Sequence, residues 1–341
     1  MTPPWQRKLA GALTEHWIDS EVLRDNRLGD PARRPLWVYT PPGYDESSED
    51  LPTIYVIQGM TGQLDMWRNR SAFRPTFPEQ LDHDFDMGTI QRCLVCFVDC
   101  WTSLGGSQFL DSPATGRYHS YLCEGVVSFV DERYRTQRSP RHRAIAGHSS
   151  GGYGAMVTPM LRPDVFGALA THAGDALFEY CYQRDFPLAV RALRDEYRGS
   201  WERFLRDFRS RPALSKPSDY TLLNTYAMAA CYSSDPDGTV RFPFDLTTGE
   251  LVPEIWDWWL HWDPVRMARS PRYADALKTL RAVYVDAGCR DEYYLDLGAE
   301  AFVKALRELG LTPQFELFDG GHSRTEYRYP MAIRYLAANI R

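Results

Sequence analysis

Residues 147–151 read Gly-His-Ser-Ser-Gly, inside the stretch RAIAGHSSGGYGAM (143–156). A serine with glycines two positions before and after it suits a sharp strand-to-helix turn that lifts a hydroxyl clear of a sheet. The glycines leave room where a Cβ would clash. That spacing separates the two serines: Ser149 has Gly147 and Gly151 at the required offsets, whereas Ser150 would need a glycine in place of His148. Ser149 is therefore the candidate nucleophile. Ser150 follows it into the helix, where its backbone N–H can face a reacting oxygen. Taken alone, the pattern equally suits a Ser/Gly-rich turn that caps a helix.

A serine hydroxyl needs a base, and the base needs a carboxylate to orient it. At a turn of this kind the order along the chain is serine, acid, histidine. Three histidines follow Ser149: His172, His261 and His322. His322, in FDGGHS, comes straight after the last expected strand and before a final helical segment, a position from which a base can overhang a sheet edge. For the acid, VYVDAGCRDEYY offers Asp286, Asp291 and Glu292. Asp286 falls within an expected strand, whereas Asp291 lies in the loop past its carboxyl end, where open α/β sheets build their sites. Asp291 is preferred, with Asp286 as the alternative. An oxyanion pocket would combine the Ser150 N–H with one from the loop VIQGMTGQLDMW (56–67), where Met60 follows Gly59. Thr61, Trp101, His148, His172, Trp259 and His261 are the candidates to contact a substrate.

The elements that would position these residues are legible as short apolar runs, several rich in β-branched residues: 36–40, 53–59, 93–99, 143–147, 168–174, 282–288 and 314–320. Segments with helical spacing lie between many of them, such as 121–136 and 295–310, the latter stopping at Gly310. Strand alternating with helix implies an α/β protein with a mostly parallel central sheet flanked by helices. More than one crossover's length of chain separates the runs 168–174 and 282–288. It holds charged helical segments (188–211), a loop rich in Pro, Gly and Asp, and the aromatic cluster IWDWWLHWDP (255–264). Residues 176–264 therefore read as a helical cap inserted into a single domain spanning 1–341. The aromatics Trp67, Trp101, Trp256, Trp258, Trp259 and Trp262 could bind an aromatic or glycosidic group, although core packing explains any one tryptophan as well.

Composition limits the alternatives. A net charge of −6 gives no basic footprint for nucleic acid. No run approaches the ~20 apolar residues of a membrane span. The first twenty residues, MTPPWQRKLAGALTEHWIDS, lack the apolar stretch of a signal peptide, so a cytoplasmic location is expected. Among the seven cysteines, Cys93, Cys96 and Cys100 cluster in RCLVCFVDC. On a strand, 93 and 96 face opposite ways, while 96 and 100 lie about 13 Å apart at ~3.3 Å per residue. That geometry suits neither a zinc site nor a disulfide, and buried thiols with no metal or other cofactor are expected.

These residues resemble the esterase D and enterochelin-esterase-like branch of the α/β-hydrolase superfamily, which includes S-formylglutathione hydrolases, some feruloyl esterases and the antigen 85 mycolyltransferases. The similarity runs through VYTPPGYD, WTSLGGSQFLDSPATGRYHSYL, GHSSGGYGAM, FGALATHAGD, DAGCRDEYYLDLGA and FDGGHS. It implies an α/β-hydrolase fold, a triad of Ser149, Asp291 and His322, and oxyanion donors at Met60 and Ser150. One departure is Gln58-Gly59 where many hydrolases carry His-Gly. The implied activity is hydrolysis of a small-molecule carboxylic ester through an acyl-enzyme. Transfer of the acyl group to another alcohol is the alternative, and a non-catalytic binding protein is a further one. A homo-oligomer is compatible with either.

Overall fold

The apolar runs become strands because residues that are buried on both faces of a sheet need no polar alternation. A computed structural model describes residues 8–341. The strands are β1 (Ala12–Asp19), β2 (Arg33–Thr40), β3 (Thr53–Ile57), β4 (Leu94–Val98), the short pair β5 (Asp111–Ser112) and β6 (Gly116–Arg117), β7 (Arg143–His148), β8 (Ala168–His172), β9 (Ala282–Gly288) and β10 (Gln314–Phe318). Eight of them form one sheet in the order β1-β2-β4-β3-β7-β8-β9-β10. The pairs from β4 to β10 are parallel, and only β1–β2 and β2–β4 are antiparallel. β3, β4, β8 and β9 are buried along their whole length, as their apolar composition requires. β1 was not among the expected strands. Its sequence, ALTEHWID, lies at an exposed edge and carries polar residues, so it lacks the apolar run that marks the others.

The helices cover both sheet faces. One face buries Val38, Tyr55, Cys96 and Ile145 with Tyr153 and Phe166. The other buries Val56, Cys93, Phe97 and Ala170 with Leu81 and Ile333. Cys93 and Cys96 thus lie on opposite faces, as strand alternation dictates, and all seven cysteines are unpaired. The helix Leu295–Glu308 ends just before Gly310, whose φ of 86° is the left-handed conformation that closes a helix. The segment 118–133 is helical but loosens into a π turn over Tyr121–Val126. Among the described residues, no helix is long and apolar enough to cross a membrane. The first seven residues of the segment read for a leader lie outside the described residues.

Between β8 and β9 the chain leaves the sheet and forms the helices Phe178–Cys181, Phe186–Tyr197, Trp201–Arg209, Asp219–Tyr232 and Pro253–His261. Arg198 and Gly199, both at positive φ, break the charged stretch into two helices. Asp263, fully buried, gathers the two ends of this segment. Its carboxylate accepts from the backbone of Leu177 (3.2 Å) and Phe178 (2.9 Å) at the start and of Val265 (2.8 Å) at the finish.

The turn after β7 is the tightest point in the sheet. Ser149 sits at φ 57° and ψ −126°, and the helix Ser150–Leu161 begins at the next residue. A Cβ on Gly147 would lie 2.3 Å from the Gly151 carbonyl oxygen. One on Gly151 would lie 2.7 Å from the carbonyl oxygens of Ile57 and Gln58. Backbone atoms on both sides leave nothing free to yield. Gly147→Ala is expected to destabilise the fold by roughly 3 kcal/mol or more. An unchanged midpoint of chemical unfolding would contradict this packing.

Candidate active site

Five loops at the carboxyl ends of β3, β7, β8, β9 and β10 converge on Ser149. The strained turn is held by hydrogen bonds that need no side chain: Ser149 N–H donates to the His172 carbonyl at 2.9 Å, and Tyr153 N–H donates to the Ser149 carbonyl at 2.9 Å. A non-glycine residue in this region costs about 1–3 kcal/mol, so it persists only where its surroundings determine it. The result is a hydroxyl aimed away from the sheet. Ser149 Oγ lies 3.0 Å from His322 Nε2, and His322 Nδ1 lies 2.8 Å from Asp291 Oδ2. The other Asp291 oxygen accepts the Tyr293 N–H at 2.8 Å, and the residue is buried.

Three acidic residues compete for the role in the sequence VYVDAGCRDEYY, and each meets a different partner. Asp291 faces the His322 ring. Glu292 accepts the His322 backbone N–H at 2.8 Å, a bond that holds its carboxyl below the usual range. Asp286 is fully buried and binds His172 Nδ1 at 2.6 Å and Arg328 Nε at 2.8 Å. Burial alone would raise its pKa, but His172 and Arg328 together keep it below the usual carboxylate value. The structure therefore joins Asp291, not Asp286, to His322.

His148 stands directly behind His322. Their ring centroids are 4.5 Å apart, and His148 Nε2 lies 2.9 Å from the His322 carbonyl oxygen. A carbonyl only accepts, so His148 carries its proton on Nε2. Tyr293 packs edge-on against His322 from another side, at 4.8 Å. On the β3 side, Gly59 approaches so closely that a Cβ there would lie 3.0 Å from the His148 carbonyl oxygen and 3.2 Å from Ser149 Cβ. Met60, the next residue, lines a recess together with Gly59 and Ser150. The Thr61 N–H is taken by the Gly105 carbonyl at 2.8 Å. Gln58, where a His-Gly pair was the common alternative, is buried, with its amide set between the Val98 carbonyl (2.8 Å) and the Leu64 N–H (2.9 Å). It braces the loop from below.

The remaining sequence candidates divide by location. Trp101 lines a recess with Gly59, Met60, Gly105 and Ser150. Thr61 is exposed at the same loop. Three others are corrected by the structure. Trp259 is fully buried, with Nε1 donating to Ser233 Oγ at 2.8 Å, and shows no face to a cleft. His172 is buried against Tyr329 (4.7 Å between centroids) and engaged with Asp286. His261 is exposed and lines a separate hollow with Asp257, Arg266 and Tyr273. Trp67 and Trp256 likewise pack into cores. Sequence reasoning missed Asp175, which follows β8 and accepts from Ser150 Oγ at 3.0 Å, from Tyr182 OH at 2.8 Å and from Gln108 Nε2 at 3.2 Å. Its one signal was its place in THAGD, straight after a strand end on the site's face.

The strand order, the strained turn between β7 and its helix, and the convergence of carboxyl-end loops on one hydroxyl define an α/β-hydrolase fold. The chain belongs to the esterase family, whose model, described as "Putative esterase", matches residues 31–332. Among solved structures, a ferulic acid esterase is similar over 98% of this chain and 100% of its own, at 17% identity and a TM-score of 0.62. An S-formylglutathione hydrolase from Agrobacterium tumefaciens is similar over 98% of both chains, at 14% identity and a TM-score of 0.59. The serine hydrolase FphF of Staphylococcus aureus is similar over 96% of this chain, 98% of its own, at 15% identity and a TM-score of 0.57. These likenesses express the shared fold. An uncharacterised protein of Corynebacterium glutamicum is 26% identical over 143 residues, 41% of this chain and 32% of that protein. YbbA of Bacillus subtilis, also uncharacterised, is 24% identical over 167 residues, 46% of this chain and 62% of that protein. The chain thus spans from a third to under two thirds of the curated relatives that it matches.

His148 yields a test of the site's packing. Burial, and then its neighbours His322 and His172, push it from the ordinary 6.5 down to about 3. The unfolded chain takes up a proton at this residue below about pH 6.5, and the folded chain does not until far lower. Stability is therefore lost as pH falls through that window, at up to about 1.4 kcal/mol per pH unit from this group. His148→Asn should flatten the decline in unfolding midpoint between about pH 6.5 and about pH 4. Parallel declines in the two proteins would contradict it.

Proposed function

We propose that this protein is a serine carboxylic-ester hydrolase working through an acyl-enzyme, with Ser149, His322 and Asp291 as its triad. The observation that carries this reading is the continuous chain from Ser149 Oγ to His322 (3.0 Å) and on to Asp291 (2.8 Å). In this mechanism His322 Nε2 takes the Ser149 proton as Oγ attacks the ester carbonyl, then delivers it to the leaving alcohol. A water, activated by the same nitrogen, then releases the acid. Asp291 holds the proton on Nδ1, which keeps Nε2 free to act as a base.

The developing oxyanion would sit between the backbone N–H groups of Met60 and Ser150. Two features support this placement: Gly59 is pressed against Ser149, and the Thr61 N–H is already committed to Gly105. Removing one such donor elsewhere costs about 10²–10³ in rate. Neither donor here is a side chain, so among single substitutions only one to proline would remove it directly.

The experiment is hydrolysis of p-nitrophenyl acetate together with labelling by a fluorophosphonate probe. Wild-type protein should do both, and Ser149→Ala neither. Asp291→Asn should lower kcat by about 10³-fold or more. Ser150→Ala should keep roughly a tenth or more of the activity, because its backbone donor survives. Labelling that persists in Ser149→Ala would transfer the nucleophile to another residue.

A further inference from the structure

The pocket that opens beside Ser149 holds a carboxylate that the proposed chemistry does not use. Asp175 forms part of its wall with Tyr182, Tyr220, Asn224 and Tyr293. Asp175 is 6% exposed, and burial pushes its pKa up against the hydrogen bonds that it accepts. All three side-chain donors, Ser150 Oγ, Tyr182 OH and Gln108 Nε2, converge on Oδ2. Among the described residues no donor reaches Oδ1, and no lysine or arginine pairs with this carboxylate. In the same network Gln108 Oε1 is buried and has no donor among the described residues.

Of these two acceptors, Asp175 Oδ1 belongs to a residue of the pocket wall. Each donor already present is neutral, so an ionised Asp175 has no counter-ion hydrogen-bonded to it among the described residues. Buried charges are ordinarily paired, because an unpaired one costs several kcal/mol of lost hydration. Tyr182, Tyr220 and Tyr293 also line the pocket, and the Arg184 guanidinium already lies over the Tyr293 ring at 5.5 Å. Tyrosine faces attract cations, by about 0.5–2 kcal/mol each depending on desolvation. A carboxylate among tyrosines is a composition suited to an ammonium group. A plain alkyl or anionic group would leave the carboxylate unmatched.

We propose that this pocket is a specificity subsite for an ammonium group carried by the ester substrate, with Asp175 as its counter-ion. The proposal rests on the ester-hydrolase reading and adds the substrate class: amine-bearing esters. It also explains why Ser150, whose hydroxyl plays no part in the proton transfers, is tied to Asp175. That bond fixes the carboxylate next to the oxyanion donor.

The test compares matched esters that differ in charge. Acetylcholine is set against 3,3-dimethylbutyl acetate, which places the cation in the alcohol half. p-Nitrophenyl 6-aminohexanoate is set against the heptanoate and the 6-hydroxyhexanoate, which places it in the acyl half. At least one ammonium ester should exceed its neutral partner in kcat/KM by about tenfold or more. In Asp175→Asn that ratio should fall towards one. Should this variant fail to fold, Tyr220→Leu should lower the same ratio by removing an aromatic wall. The proposal is overturned if neither charged ester is favoured, if the hydroxyl ester is favoured as strongly, or if the ratio survives in Asp175→Asn. Probe labelling of Ser149 without any charge preference would sink this proposal alone. Absence of labelling would sink the ester-hydrolase reading with it.

Discussion

The backbone of Ser149, at φ 57° and ψ −126°, lies where an L-residue is strained, and the surrounding structure is arranged around holding it there. The glycines on either side give the chain space to reverse within one residue. The His172 carbonyl fixes the Ser149 N–H from the neighbouring strand, and the Ser149 carbonyl starts the helix by accepting from Tyr153. Gly59 closes against the serine from the opposite strand. These restraints come from the backbone of the parallel strand β8, of the loop after β3 and of the helix that follows the turn. Such a turn is rigid only because β3, β7 and β8 are adjacent in a buried sheet.

From that fixed point the histidine loop is set by side chains. His322 is held through its ring by Asp291, through its N–H by Glu292 and through its carbonyl by His148. Behind them, Asp286 joins His172 and Arg328 in a buried group that keeps β8, β9 and the final helix in register. A loop as exposed as this one would otherwise sample many arrangements. Here it is bound at three atoms of a single residue. Arg184, from the helical segment between β8 and β9, reaches the Glu292 carbonyl and lies over the rings of Tyr293 and Tyr294 (5.5 and 5.3 Å). That segment thus touches the Asp291 loop directly.

Much of this was legible in the sequence, for definite physical reasons. The glycine offsets around Ser149 are steric requirements, and sterics leave a fixed spacing. Six of the expected strands were visible because burial on two faces demands apolar runs, the edge strand β10 showed through the alternating QFELF, and β1 was missed because its edge sequence carries polar residues. The separation of Asp291 from Asp286 followed from position relative to a strand end, and the register places Asp286 within β9, opposite His172. What failed was the reading of aromatic and histidine side chains. Trp259 and His172 have the composition of binding residues, yet both are buried, because packing against a partner and lining a cleft draw on the same residue types. The Met60 loop left almost no trace, since its contribution comes through backbone.

Asp263 has a wider consequence. By accepting from Leu177 and Phe178 as well as Val265, it brings the start and end of some ninety residues to one carboxylate at the sheet surface. To the rest of the protein, that whole stretch is a short bridge between two neighbouring points. Closure entropy grows only slowly with length, by about 0.6 kcal/mol for each doubling. The loops above the clasp can therefore be lengthened, trimmed or exchanged in evolution at little entropic cost, while the helices stay part of one core with the sheet. Substrate choice can then diverge while the reacting atoms stay where they are, and a single buried aspartate marks the seam along which such exchange would occur.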